Sequence, residues 1–190
     1  MNDLNISWNN DKNYINLYHG TVYNFNKIDS KYFREDSDFG KGFYLTSNFD
    51  QAKSWSIMKS KYNKKQRFIY KYEIPIKIIE QASIINFENS NIKNLNWLRI
   101  INHFRGLNLL EFRDENIDIE KSLKNIEIIK GPVYDNGAKS ILISYWNNEI
   151  NIYELNMKLQ MNRSNQWCFK EKFIKEINLD KYMVGDILNG

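Results

Sequence analysis

One cysteine in the whole chain, Cys168, excludes an intrachain disulfide and a thiolate-rich zinc site. Two histidines, His19 and His103, stand far apart with no His-x-x-x-His pair, so no histidine-rich metal site is expected. With only Pro75 and Pro132 and eight glycines, no Pro/Gly/Ser-rich stretch separates two domains. No apolar run approaches the roughly 20 residues that span a bilayer. The opening Met1-Asn2-Asp3-Leu4-Asn5 lacks a basic region and an apolar core, so a cytoplasmic, membrane-free protein is expected. Charge of one sign is also scarce: 27 basic residues face 23 acidic ones, a diffuse excess of +4 that reads first as a solvated surface. The densest basic run is Lys59 to Arg67, and no helix-turn-helix, zinc-finger or RNA-recognition signature accompanies it.

What the chain has is apolar and aromatic residues, at 42% and 15%. That is ample for one domain over residues 1–190 and too much for disorder. Residues 14–19 read as a strand ending in a turn at Gly20, followed by a polar loop over 21–37 that Phe25, Ile28, Tyr32 and Phe33 tack down. Phe43 to Thr46 is a second strand. Ser47 or Asn48 caps a helix whose Ala52, Trp55, Met58 and Tyr62 mark one face. Residues 67–74 alternate Phe68, Tyr70, Tyr72 and Ile74 against polar neighbours, a half-buried strand closed by Pro75. The stretch 76–85 holds a further extended segment, 91–105 a helix ended by Gly106, 118–124 a short helix, and 126–132 a strand. Ser140 to Trp146 reads as a strand, Tyr153 to Met161 as a helix, Trp167 to Phe169 as a core strand, and Lys172 to Ile177 as a closing helix. Strands and helices do not alternate regularly, so the expected class is α+β with antiparallel or mixed sheets and peripheral helices.

Two segments carry chemistry. Leu17-Tyr18-His19-Gly20-Thr21 puts a histidine at a strand end, beside a glycine that admits a ligand to the backbone. A satisfied histidine next to an ordinary turn glycine is the plain alternative. Asp38-Phe39-Gly40-Lys41-Gly42-Phe43-Tyr44-Leu45-Thr46 brackets Lys41 with glycines, yet it has neither the G-x-G-x-x-G nor the Walker A spacing. Alternation along the strand sends Phe43 and Leu45 to the core and leaves Gly42 and Tyr44 on the other face, where a ring can stack on a planar heterocycle. Cys168, between Trp167 and Phe169, reads as a buried inert thiol. Asp114, Glu115, Asp118 and Glu120 read as a solvated acidic cluster.

These residues resemble the ADP-ribosyltransferase superfamily in its His-Tyr-Glu branch, which includes diphtheria toxin and the poly(ADP-ribose) polymerases. The chain is most similar to the bacterial family called domain of unknown function 3990. Gly131-Pro132-Val133-Tyr134-Asp135 and Asn165-Gln166-Trp167-Cys168-Phe169-Lys170 extend the likeness over nearly the whole chain. The resemblance implies a split pair of small antiparallel sheets with NAD in the cleft between them. It implies that His19 bonds the adenosine-side ribose, Gly20 clamps the nicotinamide carboxamide through its backbone, Thr21 supports the turn, and Tyr44 stacks on the nicotinamide. Gly42 belongs to the same cofactor-binding set, and Arg34 in the covering loop is the expected phosphate contact.

Gln166 stands where that branch places a glutamate. It accepts a hydrogen bond but brings no charge and no general base, which argues against poly-chain elongation. Glu171, under a shifted alignment, and Asp135, after the Gly-Pro-Val turn, are the carboxylates that could compensate. The expected function is an NAD-dependent mono-ADP-ribosyltransferase, a bacterial toxin or defence effector acting on a protein or nucleic-acid acceptor and held in check by an antitoxin protein. Two alternatives stand beside it. One is a module that binds NAD without turning it over; the other is a nucleic-acid-directed protein of another fold, marked by Lys59, Lys61, Lys64 and Lys65 gathered beside His19.

Overall fold

A computed structural model describes residues 13–87, 96–107, 118–161 and 164–188. Strands β1 (Tyr14–Thr21), β3 (Phe68–Pro75) and β7 (Met183–Asp186) form an antiparallel sheet in the order β1-β3-β7. Strands β2 (Phe43–Leu45), β4 (Ile84–Asn86), β5 (Ile128–Pro132) and β6 (Asn165–Phe169) form a second sheet in the order β2-β6-β5-β4. The second sheet is mixed, with β4 parallel to β5 and the other pairings antiparallel. The fold is thus α+β with two sheets flanked by helices.

The sheets meet at one rung. Tyr18 and Thr46 exchange backbone hydrogen bonds of 2.7 and 2.9 Å, and beyond them β1 and β2 part. Period-two alternation distributes the side chains of the second sheet to two cores. Phe43, Leu45, Ile128, Trp167 and Phe169 face the first sheet and pack with Leu17, Tyr70, Tyr72 and Ile74. Ile129 and Cys168 face away, into a second core. That core is closed by helices α3 (Asn96–Arg105), α4 (Ile119–Leu123), α5 (Asn136–Trp146) and α6 (Ile152–Met161). The Cys168 thiol is wholly buried, as expected, and burial pushes its pKa up.

Helix α1 (Phe49–Asn63) spans the seam. Asn48 caps it by accepting from the Gln51 N–H, and Gln51 exchanges two bonds with the backbone of Asn165 at the start of β6. Its buried residues are Ala52 and Ser56, whereas Trp55, Met58 and Tyr62 are exposed, which corrects the expected face. The cause is proximity: a Cβ on Gly20 would lie 1.9 Å from the Ala52 carbonyl oxygen, so the helix docks through small residues and turns the large ones outward.

Other expectations shift in the same way. Residues 140–146 are not a strand but the body of α5. Asp135 caps that helix by accepting from Ala138 N–H at 2.9 Å, and Ala138 and Leu142 bury one helical face. Between 76 and 85, helix α2 (Ile76–Gln81) precedes the short β4. Strand β7 was not expected at all; it follows α7 (Glu171–Ile177) and a 3-10 turn at Leu179–Tyr182. In the 21–37 loop, Phe25, Ile28 and Phe33 do pack on the first core, but Tyr32 is exposed. The expected helix start at 91–95 and the acidic residues Asp114 and Glu115 lie outside the described residues; Asp118 caps α4.

Gly20→Ala forces the α1 backbone off β1. We expect it to lower the unfolding free energy by about 3 kcal/mol, the upper range for overpacking, measured by urea denaturation. Ala at Gly106, where a Cβ meets nothing within 4 Å and only the left-handed φ of +59° opposes it, is the milder comparison.

Candidate functional site

Where β1 and β2 part, a cleft of ≈ 800 Å³ opens. Its lining includes His19, Gly20, Thr21, Arg34, Gly42, Tyr44 and Gln166, so all the residues expected at the site reach one cavity. Asp38 and Arg105, neither assigned a site role from sequence, line it as well, as does Lys59.

His19 sits one residue past the seam. Its Nδ1 donates to the Tyr44 carbonyl at 2.8 Å, replacing the next backbone rung, and its ring stacks on Phe43 with centroids 4.7 Å apart. Burial lowers its pKa to about 3, reinforced by the positive Lys59 and opposed by the bond to Tyr44. The ring is therefore neutral at physiological pH. With Nδ1 holding the proton, Nε2 is left as an acceptor.

Gly20 follows on the same strand. Backbone groups alternate sides along a strand, so Gly20, like Tyr18, turns its N–H and C=O toward β2, which has already diverged. The Lys59 ammonium donates to the Gly20 carbonyl at 3.1 Å. Burial lowers the Lys59 pKa, and Arg34 adds to the shift. Sequence put Lys59 at the start of a basic run and, with Lys61, Lys64 and Lys65, in the stripe that would mark a nucleic-acid reading; of these four only Lys59 lines the cleft. In the structure it reaches the cleft, and Trp55 lies beneath its ammonium, 5.5 Å from ring centroid to Nζ. Lys65 likewise lies over Tyr23, another residue of the cleft lining. Thr21 is buried, and its hydroxyl accepts from the Tyr23 N–H at 3.3 Å, tightening the turn out of β1.

The Tyr44 hydroxyl is fully used by its own loop. It donates to the Gly40 carbonyl at 2.7 Å and accepts from the Phe39 N–H at 2.9 Å. Burial raises its pKa well above the ordinary phenol range. What Tyr44 presents is thus a ring held from its far end. Gly42 is closely packed on β6: a Cβ there would lie 2.5 Å from the Cys168 Sγ. The Lys170 ammonium, donating to the carbonyls of Phe39 and Lys41, closes the same loop.

Gln166 is buried on β6. Its Nε2 donates to the Asp38 carboxylate at 2.5 Å and to the Pro132 carbonyl at 2.9 Å. Asp38, 2% exposed, also accepts from Arg105 Nε and from the Tyr134 N–H. Arg34 lies at the exposed rim with its fork bidentate on Asp36, at 2.9 and 2.7 Å, so an anion there would compete with Asp36. Neither compensating carboxylate lines the cleft. Asp135 caps α5, and Glu171 pairs with Lys175 one turn along α7. Among the described residues there is no group of three or more His, Cys, Asp or Glu placed to hold a metal. No described helix is long and apolar enough to cross a membrane.

A family profile covers residues 15–179, a span that contains the seam and every lining residue named above. The chain belongs to the family described as Protein of unknown function (DUF3990). No curated protein and no solved structure matches it. The family match begins within β1 and ends in the turn before β7, so it takes in both walls of the cleft.

The neutral state of His19 has a thermodynamic consequence. The unfolded chain protonates this histidine below its ordinary value of 6.5, the folded protein only near about 3. The stability this provides is complete above pH 6.5 and is lost as the pH falls toward 3. The stability difference between wild type and His19→Gln should therefore shrink over that window in urea titrations. In an NMR titration the His19 ring should stay neutral at pH 5; a midpoint near 6.5 would contradict the burial.

Proposed function

We propose that this chain is an NAD-dependent mono-ADP-ribosyltransferase, with the superfamily's split-sheet architecture. The observation that supports this most directly is the juxtaposition at the seam. Strand-end His19-Gly20 and the anchored Tyr44 line one cleft of ≈ 800 Å³, with His19 Nδ1 bonded to the Tyr44 carbonyl. The residues suit a dinucleotide: two neutral acceptors for ribose hydroxyls, a ring for a planar base, the Gly20 backbone N–H turned toward β2, and the cations Arg34 and Lys59 for a diphosphate.

In this reading His19 Nε2 accepts from a ribose hydroxyl, Gly20 holds the carboxamide through its backbone, and the Tyr44 ring stacks on the nicotinamide. Thr21 and Gly42 shape the two walls, and Gln166 Oε1 receives a hydroxyl of the reacting ribose. A nucleophile on the acceptor forms a bond to the anomeric carbon while the bond to nicotinamide breaks. Nicotinamide leaves with the electron pair, and the acceptor's proton passes to solvent. The acceptor is a macromolecule; a role as a toxin or defence effector restrained by an antitoxin rests on the superfamily likeness alone.

Incubation with labelled NAD in a cell extract tests this. Wild type should transfer label and release nicotinamide, and His19→Ala should lower release on the order of 10²-fold. Tyr44→Phe separates ring from hydroxyl: it keeps the stacking surface and loses about 1 kcal/mol of loop anchoring, whereas Tyr44→Ala loses both. Wild type that binds NAD but never releases nicotinamide favours the second reading, a binding module without turnover. The amide at 166 is the observation behind that reading.

A further inference from the structure

Gln166 is an amide with a fixed orientation. Both neighbours of its Nε2, the Asp38 carboxylate and the Pro132 carbonyl, are acceptors only, so the nitrogen must be the atom between them. The oxygen is thereby directed elsewhere. Oε1 makes none of the bonds at this site and is not among the buried polar atoms without a partner, so it opens into the cleft that Gln166 lines. Asp38 in turn accepts from Arg105 and from the Tyr134 N–H at 2.8 Å. The contacts run Arg105 to Asp38 to Gln166, and all three residues border the cleft.

We propose that Asp38 is the positioning residue for Gln166: it locks the amide with Oε1 toward the reacting ribose and polarises it through a charge-assisted bond. This rests on the NAD-dependent reading above. The bond to a carboxylate draws the amide's protons and increases the negative character of Oε1. The carboxylate that position 166 lacks is thus present one hydrogen bond away. The arrangement also explains why a glutamate is absent here, since its carboxylate would be thrust against Asp38 and against the Pro132 carbonyl with no proton between them.

The test is a cycle of Asp38→Asn, Gln166→Glu and the double variant in the full chain, reading nicotinamide release and melting temperature. Arg105 is partly exposed and rehydrates when its partner is neutralised, so Asp38→Asn should fold. Its kcat should fall on the order of 10²-fold, the cost of a misplaced group, with KM for NAD changing by less than about threefold. Gln166→Glu alone should lower the melting temperature by about 5 °C or more and should not raise turnover. Combining the two removes the like-charge contact. The double variant should regain at least half of the lost melting temperature and exceed either single variant in kcat.

Asp38→Asn with wild-type kcat, or additive melting temperatures in the cycle, overturns the pairing. Wild type that neither binds nor cleaves NAD overturns the functional reading beneath it, whereas the melting temperatures judge the pair without NAD. A further measurement needs no variant at Asp38. The Gln166 side-chain amide protons, identified in ¹H–¹⁵N spectra by their loss in Gln166→Met, should exchange slowly. Exchange as fast as that of a surface glutamine overturns the lock.

Discussion

The single rung between Tyr18 and Thr46 governs the rest of the molecule. Two sheets joined along several rungs would be one sheet, and the backbone of Gly20 would be consumed in pairing. Joined at one rung, they splay, and each group past the rung must find another partner. The Tyr44 carbonyl takes the His19 imidazole, and the Gly20 carbonyl takes Lys59. The close approach of α1 at Gly20 and the Gln51–Asn165 exchange hold the wedge open from one side. The cleft is therefore a consequence of how the sheets are joined, and its lining is made of the groups that the parting left to be satisfied.

Asp38 is the second fixed point. A carboxylate with 2% exposure needs several hydrogen bonds to offset the loss of water, and it has them from three directions: α3 through Arg105, the segment after β5 through Tyr134, and β6 through Gln166. It thereby gathers the 38–42 loop, the second sheet and the helical layer at one place. Tyr44 and Lys170 anchor the remainder of that loop. Rigidity of this kind suits a site whose work is to hold groups in fixed directions.

Much of this was legible from residue order. Alternation in β3 put Phe68, Tyr70, Tyr72 and Ile74 in the first core, and the same rule separated Phe43 and Leu45 from Tyr44. The cap of α1 was visible as Ser47 or Asn48, and Asn48 fills it. What failed did so for tertiary reasons. Ile141 and Ile143 in 140–146 look like strand residues, but the Asp135 cap and the Ala138–Leu142 spacing make a helix on the second core. The large residues of α1 look like its buried face, yet contact with Gly20 leaves room only for Ala52 and Ser56. Within the site, His19, Gly20, Tyr44 and Gln166 could be named because short motifs contain them. Asp38 stood in the same motif, but its place beside Gln166 depends on a contact 128 residues apart in sequence, which spacing cannot show. Lys59 was named from its basic run, but its bond to the Gly20 carbonyl could not be read from that run.

Four of the polar groups lining the cleft owe their chemical character to a bonded partner. His19 gives its Nδ1 proton to Tyr44 and is left with an acceptor. Gln166 gives both protons of its amide to Asp38 and Pro132 and is left with an acceptor. Tyr44 spends both functions of its hydroxyl on the loop and is left with a ring. Lys59, a donor, is engaged with the Gly20 carbonyl. A wall composed this way offers oxygen and nitrogen lone pairs beside a flat apolar face. The complement of such a wall is a molecule whose hydroxyls donate next to a planar ring, and a ribose carrying a heterocycle has that pattern. The amide backed by a buried carboxylate keeps acceptor strength while its negative charge stays balanced by Arg105.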